Sequence, residues 1–156
     1  MLTNTRVAWF NGTIYFGAVG DTIRAFPVSA ATLSTAPPAM TTTTFDYPGT
    51  TPSISANGTD NAILWALEDT DPVVLHAYDA TDITQELYNS VQAANNRDNV
   101  GAGVKWIPPT IADGKVFVPT AAGVGVFGLL GADLTLGRSR TLAVPSARSM
   151  GYLGRD

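Results

Sequence analysis

The side chains that could carry chemistry gather in one stretch. Glu68, Asp69 and Asp71 stand close together, and His76 and Asp79 follow them. His76 is the single histidine, and so the one conventional general base near neutral pH. It lies between Leu75 and Ala77 in "VVLHAYDA", an alternating β-prone run, which favours a packed or hydrogen-bonded imidazole over a catalytic one. Asp79 closes that run, where a carboxylate ordinarily accepts backbone hydrogen bonds in a turn. His76 and Asp79 are therefore the catalytic candidates, each with a structural rival. Glu68, Asp69 and Asp71 could offer hard oxygen ligands to a cation if they folded inward; as a crowded strand-end loop they read first as a solvated acidic turn.

Other reactive groups are missing or lack context. Zero Cys excludes disulfides, thiolate nucleophiles and Cys-ligated metal, and one His cannot build a poly-His site within a subunit. No GxSxG elbow occurs, and Ser53, Ser55, Ser90, Ser146 and Ser149 have no neighbours that would activate a hydroxyl. "GAGVK", residues 101–105, fails the P-loop spacing and its terminal Ser/Thr. Trp9, Trp65 and Trp106 lie in β-type units, where packing outweighs ligand stacking. No cofactor and no metal site is expected.

A chain of 156 residues with 45% hydrophobic content can bury one core, and its 15 Gly and 10 Pro favour turn-rich β structure over a helix bundle. The net charge of -4 argues against a nucleic-acid surface. No stretch has the pattern of a signal peptide or the length of a membrane span, which leaves localisation open.

Three units share one grammar. "VAWF" turns at Asn11-Gly12 into "TIYFG" and then "TIRAF", where Pro27 is expected to stop the strand. After a long connection with one edge strand near Thr42 to Phe45, "SISA" turns at Asn57-Gly58 into "NAILWALE" and "VVLHAYDA", with "ELYNS" as a fourth strand or a helical turn. Residues 91–103 read as a polar surface loop. "VKWIPPTIA" then turns at Asp113-Gly114 into "KVFVPT" and "VGVFGLL". The turns recur 46 and 56 residues apart, and Phe26, Tyr78 and Phe127 recur at 52 and 49, about the length of a propeller blade. Apolar residues on both faces of each strand fit sheets stacked side by side. Residues 131–156 depart from this pattern and carry +2 against -6 for residues 1–130, so the chain divides into a three-unit body, 1–130, and a mobile or partner-dependent tail, 131–156.

"PSISANGTDNAILWALE" with "VLHAYDATDITQELYNS", and "VKWIPPTIADGKVFVPTAAGVGVFGLL" after them, resemble the C-terminal blades of bacterial quinoprotein-like, PQQ-repeat β-propeller proteins. The resemblance implies an all-β fold, a partial β-propeller of about three antiparallel blade-like sheets. Enzymes of that family bind pyrroloquinoline quinone and calcium inside a complete ring, often beside a Cys pair. This chain has no Cys and only three units, and no residue matches the family's base or calcium ligands, so no quinone site is carried over. An open arc exposes an apolar face at each end, which leads us to expect completion by a second copy, a homodimer first. The function expected is that of a noncatalytic scaffold or binding protein with unknown ligand. The alternative is a small oligomeric hydrolase whose site is shared between subunits.

Overall fold

The computed structural model describes residues 6–129 and the strand at 150–152. It is all-β, with three antiparallel sheets, none of them closed. Among the described residues no helix is long and apolar enough to cross a membrane.

The first sheet contains β1 (Ala8–Phe10), β2 (Thr13–Gly17), β3 (Asp21–Ser29), the short β4 (Thr32–Leu33) and β5 (Ala39–Phe45). β6 (Ser53–Asn57), β7 (Asp60–Glu68), β8 (Val74–Asp79) and β9 (Asp82–Asn89) form the second, in chain order. β10 (Thr110–Ala112), β11 (Lys115–Thr120), β12 (Gly123–Leu129) and β13 (Met150–Tyr152) form the third. The three repeated units of the sequence are these three sheets.

Two of the three hairpins turn as their dipeptides dictate. Asn11-Gly12 and Asp113-Gly114 have positive φ at both positions, the I′ pattern that matches strand twist. The second hairpin is displaced by one residue. Asn57 pairs with Asp60, the loop is Gly58-Thr59, and of these two only Gly58 has positive φ, as in a II′ turn. A register shift between Ser55 and Asn57 accompanies the displacement.

Pro27 does not stop its strand. β3 runs through it to Ser29, with Pro27 opposite Thr13. The proline sits where β3 changes partner, since β5 pairs with Asp21 to Ala25 and β4 with Val28 and Ser29. Its carbonyl accepts from Ser34 N–H on that outer side, so the missing donor faces a gap between two partners and interrupts no ladder. The strand sought near Thr42 to Phe45 spans Ala39–Phe45 and is anchored by the buried Phe45. "ELYNS" is strand up to Asn89, within a β9 that starts at Asp82, and only then a 3₁₀ turn at Ser90–Gln92.

The expected surface loop at 91–103 holds a buried anchor. Asp98 is fully buried, accepting from Arg97 Nε and Nη2 at 2.7 and 2.9 Å and from the Tyr88 hydroxyl at 2.6 Å. Val100 is buried next to it and joins the core, while residues 91, 92, 94–97 and 99 stay exposed as a surface loop. The third unit also gains a fourth strand, since β13 pairs with β12 from Phe127 to Leu129 along the edge that sequence alone leaves bare. The rest of the 131–156 segment lies outside the described residues.

The middle sheet is covered on both faces. Alternation on β7 sends Ala62, Leu64 and Ala66 into a core with Tyr15, Ile23 and Phe45 of the first sheet. Trp65 and Leu67 point the other way, into a core with Val116, Val118 and Phe127 of the third. β8 divides likewise, Leu75 and Ala77 going to the third sheet and Tyr78 to the first. Each fully buried Leu or Val contributes about 1.5–3 kcal/mol, so these two seams are what hold the sheets together. Along one edge of the stack, β6 touches both β1 and β10, the first strands of the units on either side.

Candidate functional site

His76 leaves β8 on the face toward the first sheet, and its side chain is 5% exposed. Its Nδ1 lies 2.6 Å from Glu86 Oε1 and its Nε2 3.3 Å from Glu68 Oε2. The Tyr78 ring stacks almost parallel to it at 5.9 Å, and Phe45 meets it edge-on at 5.6 Å. Burial pushes the Tyr78 phenol well above its ordinary pKa, with Thr43 partly opposing and the charges of Glu86 and Glu68 adding to the rise. The imidazole is thus packed between aromatic rings and held at both nitrogens by carboxylates on neighbouring strands. Among the described residues the one hydroxyl within hydrogen-bonding distance of it is that of Tyr78, 3.4 Å from Nδ1.

The other candidates from the sequence go elsewhere. Asp79 accepts from Thr81 at its backbone N–H, 2.8 Å, and its hydroxyl, 2.6 Å, which is the turn role. Three positions along a strand put it about 10 Å from His76, on the opposite face. Glu68 turns back to His76, Asp69 lines a cleft described below, and Asp71 is exposed. Among the described residues no three His, Cys, Asp or Glu side chains are placed to hold a metal ion.

Glu86 is the residue of the His76 constellation that sequence reading missed. The β8–β9 ladder slips around Tyr78, so that Glu86 pairs with Tyr78 while Tyr88 pairs with Ala77. An unbroken ladder would set Leu87 there instead. No local sequence signal marks that slip.

A second constellation is built from three loops at one end of the sheets: that joining β5 to β6, that joining β7 to β8, and that leading into β10. Val73 N–H donates to Gly101 O and Gly103 N–H to Thr70 O, binding the last two together. The three enclose a cavity of about 30 Å³ lined by Thr50, Leu67, Asp69, Lys105 and Trp106 among others. At its rim Tyr47 and Trp106 meet edge to face at 5.5 Å, and the Lys105 ammonium stands 4.9 Å from the centre of the Tyr47 ring.

The cleft has two unusual features. Trp106 has φ +73°, which for a bulky residue costs on the order of 1–3 kcal/mol and persists only where surroundings enforce it. Thr50 Oγ1 and Asp69 Oδ2 are buried without a hydrogen-bond partner, and both residues line this one cavity. Thr50 is 3% exposed, and its methyl packs so tightly on Gly17 that a Cβ there would sit 2.5 Å from it. Of the three tryptophans only Trp65 is a core residue, its indole N–H donating to Ser55 Oγ at 2.9 Å; Trp9 and Trp106 are 65% and 43% exposed, against the expectation that all three pack.

Compared with protein-family models, curated proteins and solved structures, the chain matches none of them.

Proposed function

We propose that the chain is a noncatalytic binding scaffold, an arc of a β-propeller of the quinoprotein-like type that a second copy completes. The observation that carries this reading is the contrast between the middle sheet and its neighbours. The middle sheet buries both faces, whereas each flanking sheet buries one and turns outward another that carries a row of apolar side chains among polar ones. On the first sheet Trp9, Ile14 and Phe26 lie side by side in register on the face away from Tyr15 and Ala25, with Met40 opposite Arg24 on that same face. On the third, Phe117 pairs with Val126 and Pro119 with Val124, on the face away from Val118 and Phe127. Neither core cluster includes any of these residues.

Such faces are what a blade presents to the next blade. Joining two arcs so that about 800 Å² of apolar surface leaves water would contribute on the order of 20 kcal/mol, against an association cost of about 4–15 kcal/mol. The scaffold reading is also supported by His76, whose nitrogens are taken up by Glu68 and Glu86 and not by a nucleophile.

Light scattering over a concentration series tests the assembly. A species of twice 16.3 kDa that persists to low concentration is the expected result. A cooperatively folded monomer at every concentration would defeat ring completion.

A further inference from the structure

We propose that the cleft bounded by Tyr47, Thr50, Asp69 and Trp106 receives a primary ammonium group. This names a ligand class for the scaffold reading and rests on that reading, but not on ring closure, because every residue involved belongs to one chain.

The chemistry follows from what the cleft lacks. Four buried side-chain oxygens among the described residues have no partner, and two of them, Thr50 Oγ1 and Asp69 Oδ2, belong to residues lining this cavity; Thr22 and Asn89, which carry the other two, are not in its lining. A carboxylate oxygen taken from water without a partner is unfavourable, and the deficit is met best by a donor that also carries positive charge. A hydroxyl brings one donor and no charge, whereas an ammonium brings three donors and a charge. The volume of about 30 Å³ exceeds the roughly 10–15 Å³ that one water needs, so the cavity has room for a small head group. The aromatic rim suits the same ligand. Tyr47 already holds one ammonium, that of Lys105, over its ring, and Trp106 is fixed beside it by a backbone conformation that no local sequence preference would choose. Beyond the cavity the exposed Tyr47 and Trp106 rings can cover the alkyl stem behind the head group. Lys105 is the internal competitor, for its charge opposes a second cation in the same lining.

Two sources share this chemistry, the α-ammonium of a peptide N-terminus and the ε-ammonium of a lysine side chain. The test is backbone-amide NMR of the full chain, titrated with n-butylammonium and, as the uncharged analogue, n-butanol. Saturable shifts confined to residues 49–51 and 104–107, at roughly millimolar concentration, are expected with the amine alone. Asp69→Asn should weaken the binding at least about tenfold, Thr50→Val should weaken it less, and Lys105→Met should strengthen it. Triglycine and Nα-acetyl-lysine amide then distinguish the two sources. The proposal is overturned by an equal response to n-butanol, by binding of methyl glucoside in place of the amine, by the absence of a saturable shift, or by indifference to all three substitutions. Should Asp69→Asn unfold the chain, Thr50→Val and Lys105→Met decide the matter. Light scattering of the same samples keeps the two readings apart: a dimer that ignores the amine sinks only the ammonium site, and a monomer that binds it sinks only ring completion.

Discussion

Nδ1 of His76 lies 2.6 Å from Oε1 of Glu86 on the adjacent strand, and Phe45 meets the same imidazole edge-on. Nε2 of the same ring faces Glu68 at the longer distance of 3.3 Å. The two carboxylates are not equivalent, because the Glu86 contact is shorter and its side chain slightly less exposed, 25% against 30%. Removing one partner of a largely buried pair leaves the other uncompensated, so Glu86→Ala should destabilise the fold by about 1–2 kcal/mol and Glu68→Ala by less. Urea denaturation of the single variants and of their combinations with His76→Leu measures both. Equal costs, or no coupling between His76 and Glu86, would contradict this geometry.

Alkaline pH should weaken the fold through three tyrosines. Burial raises the phenol pKa of Tyr15, Tyr78 and Tyr88 above the ordinary 10.0; at Tyr88 the hydrogen bond to Asp98 and its charge add to the effect. Each phenol therefore keeps its proton in the folded chain after the unfolded chain has lost it. Between pH 10 and the raised folded values the unfolded state binds fewer protons, and stability falls as pH rises, by up to about 1.4 kcal/mol per pH unit for each tyrosine. Below pH 10 both states hold the protons and these groups give no slope. Denaturation midpoints measured from pH 8 to 11 should bend downward near pH 10. Tyr78→Phe or Tyr88→Phe should make the descent shallower, and an unchanged slope in both would show that other groups govern it.

The fold was legible wherever chain neighbours decide it. Asn11-Gly12 and Asp113-Gly114 need only their own φ preferences to turn, and the alternation in "AILWA" is enough to give β7 two apolar faces. What could not be read depends on distant chain. Pro27 is tolerated because β4 and β5 part company opposite it, Glu86 reaches His76 through a slip in the ladder, and Tyr47 meets Trp106 across two loops that only the stacked sheets bring together. The pairing of Asp98 with Tyr88 was hidden for the same reason, since a polar run gives no sign that one carboxylate in it is buried.

The second hairpin permits a direct check of the turn. With Gly58 at positive φ and Asn57 in the strand, Gly58→Val should cost about 1–2 kcal/mol more than Asn57→Val or Thr59→Val. If Asn57 and Gly58 instead formed the turn in the manner of Asn11-Gly12, Asn57→Val would be among the costly changes. Thermal melts of the three variants separate the two registers.

The two outward faces make different predictions for different assemblies. If two arcs close one ring about a twofold axis, the first sheet of each copy meets the third sheet of the other, so both faces lie in the interface. Trp9→Lys and Val124→Lys should then each weaken the dimer at least about tenfold, as expected for a charge placed in an apolar contact. Both positions are open enough for the folded chain to accept the lysine, at 65% and 47% exposure. Val91, 64% exposed on the turn after β9, is a matched control, and Val91→Lys should leave the dimer intact. A back-to-back dimer through the first sheet alone would respond to Trp9→Lys and be indifferent to Val124→Lys. Sedimentation equilibrium of the three variants distinguishes these cases, and a dimer that ignores both Trp9→Lys and Val124→Lys would show that neither apolar face joins the copies.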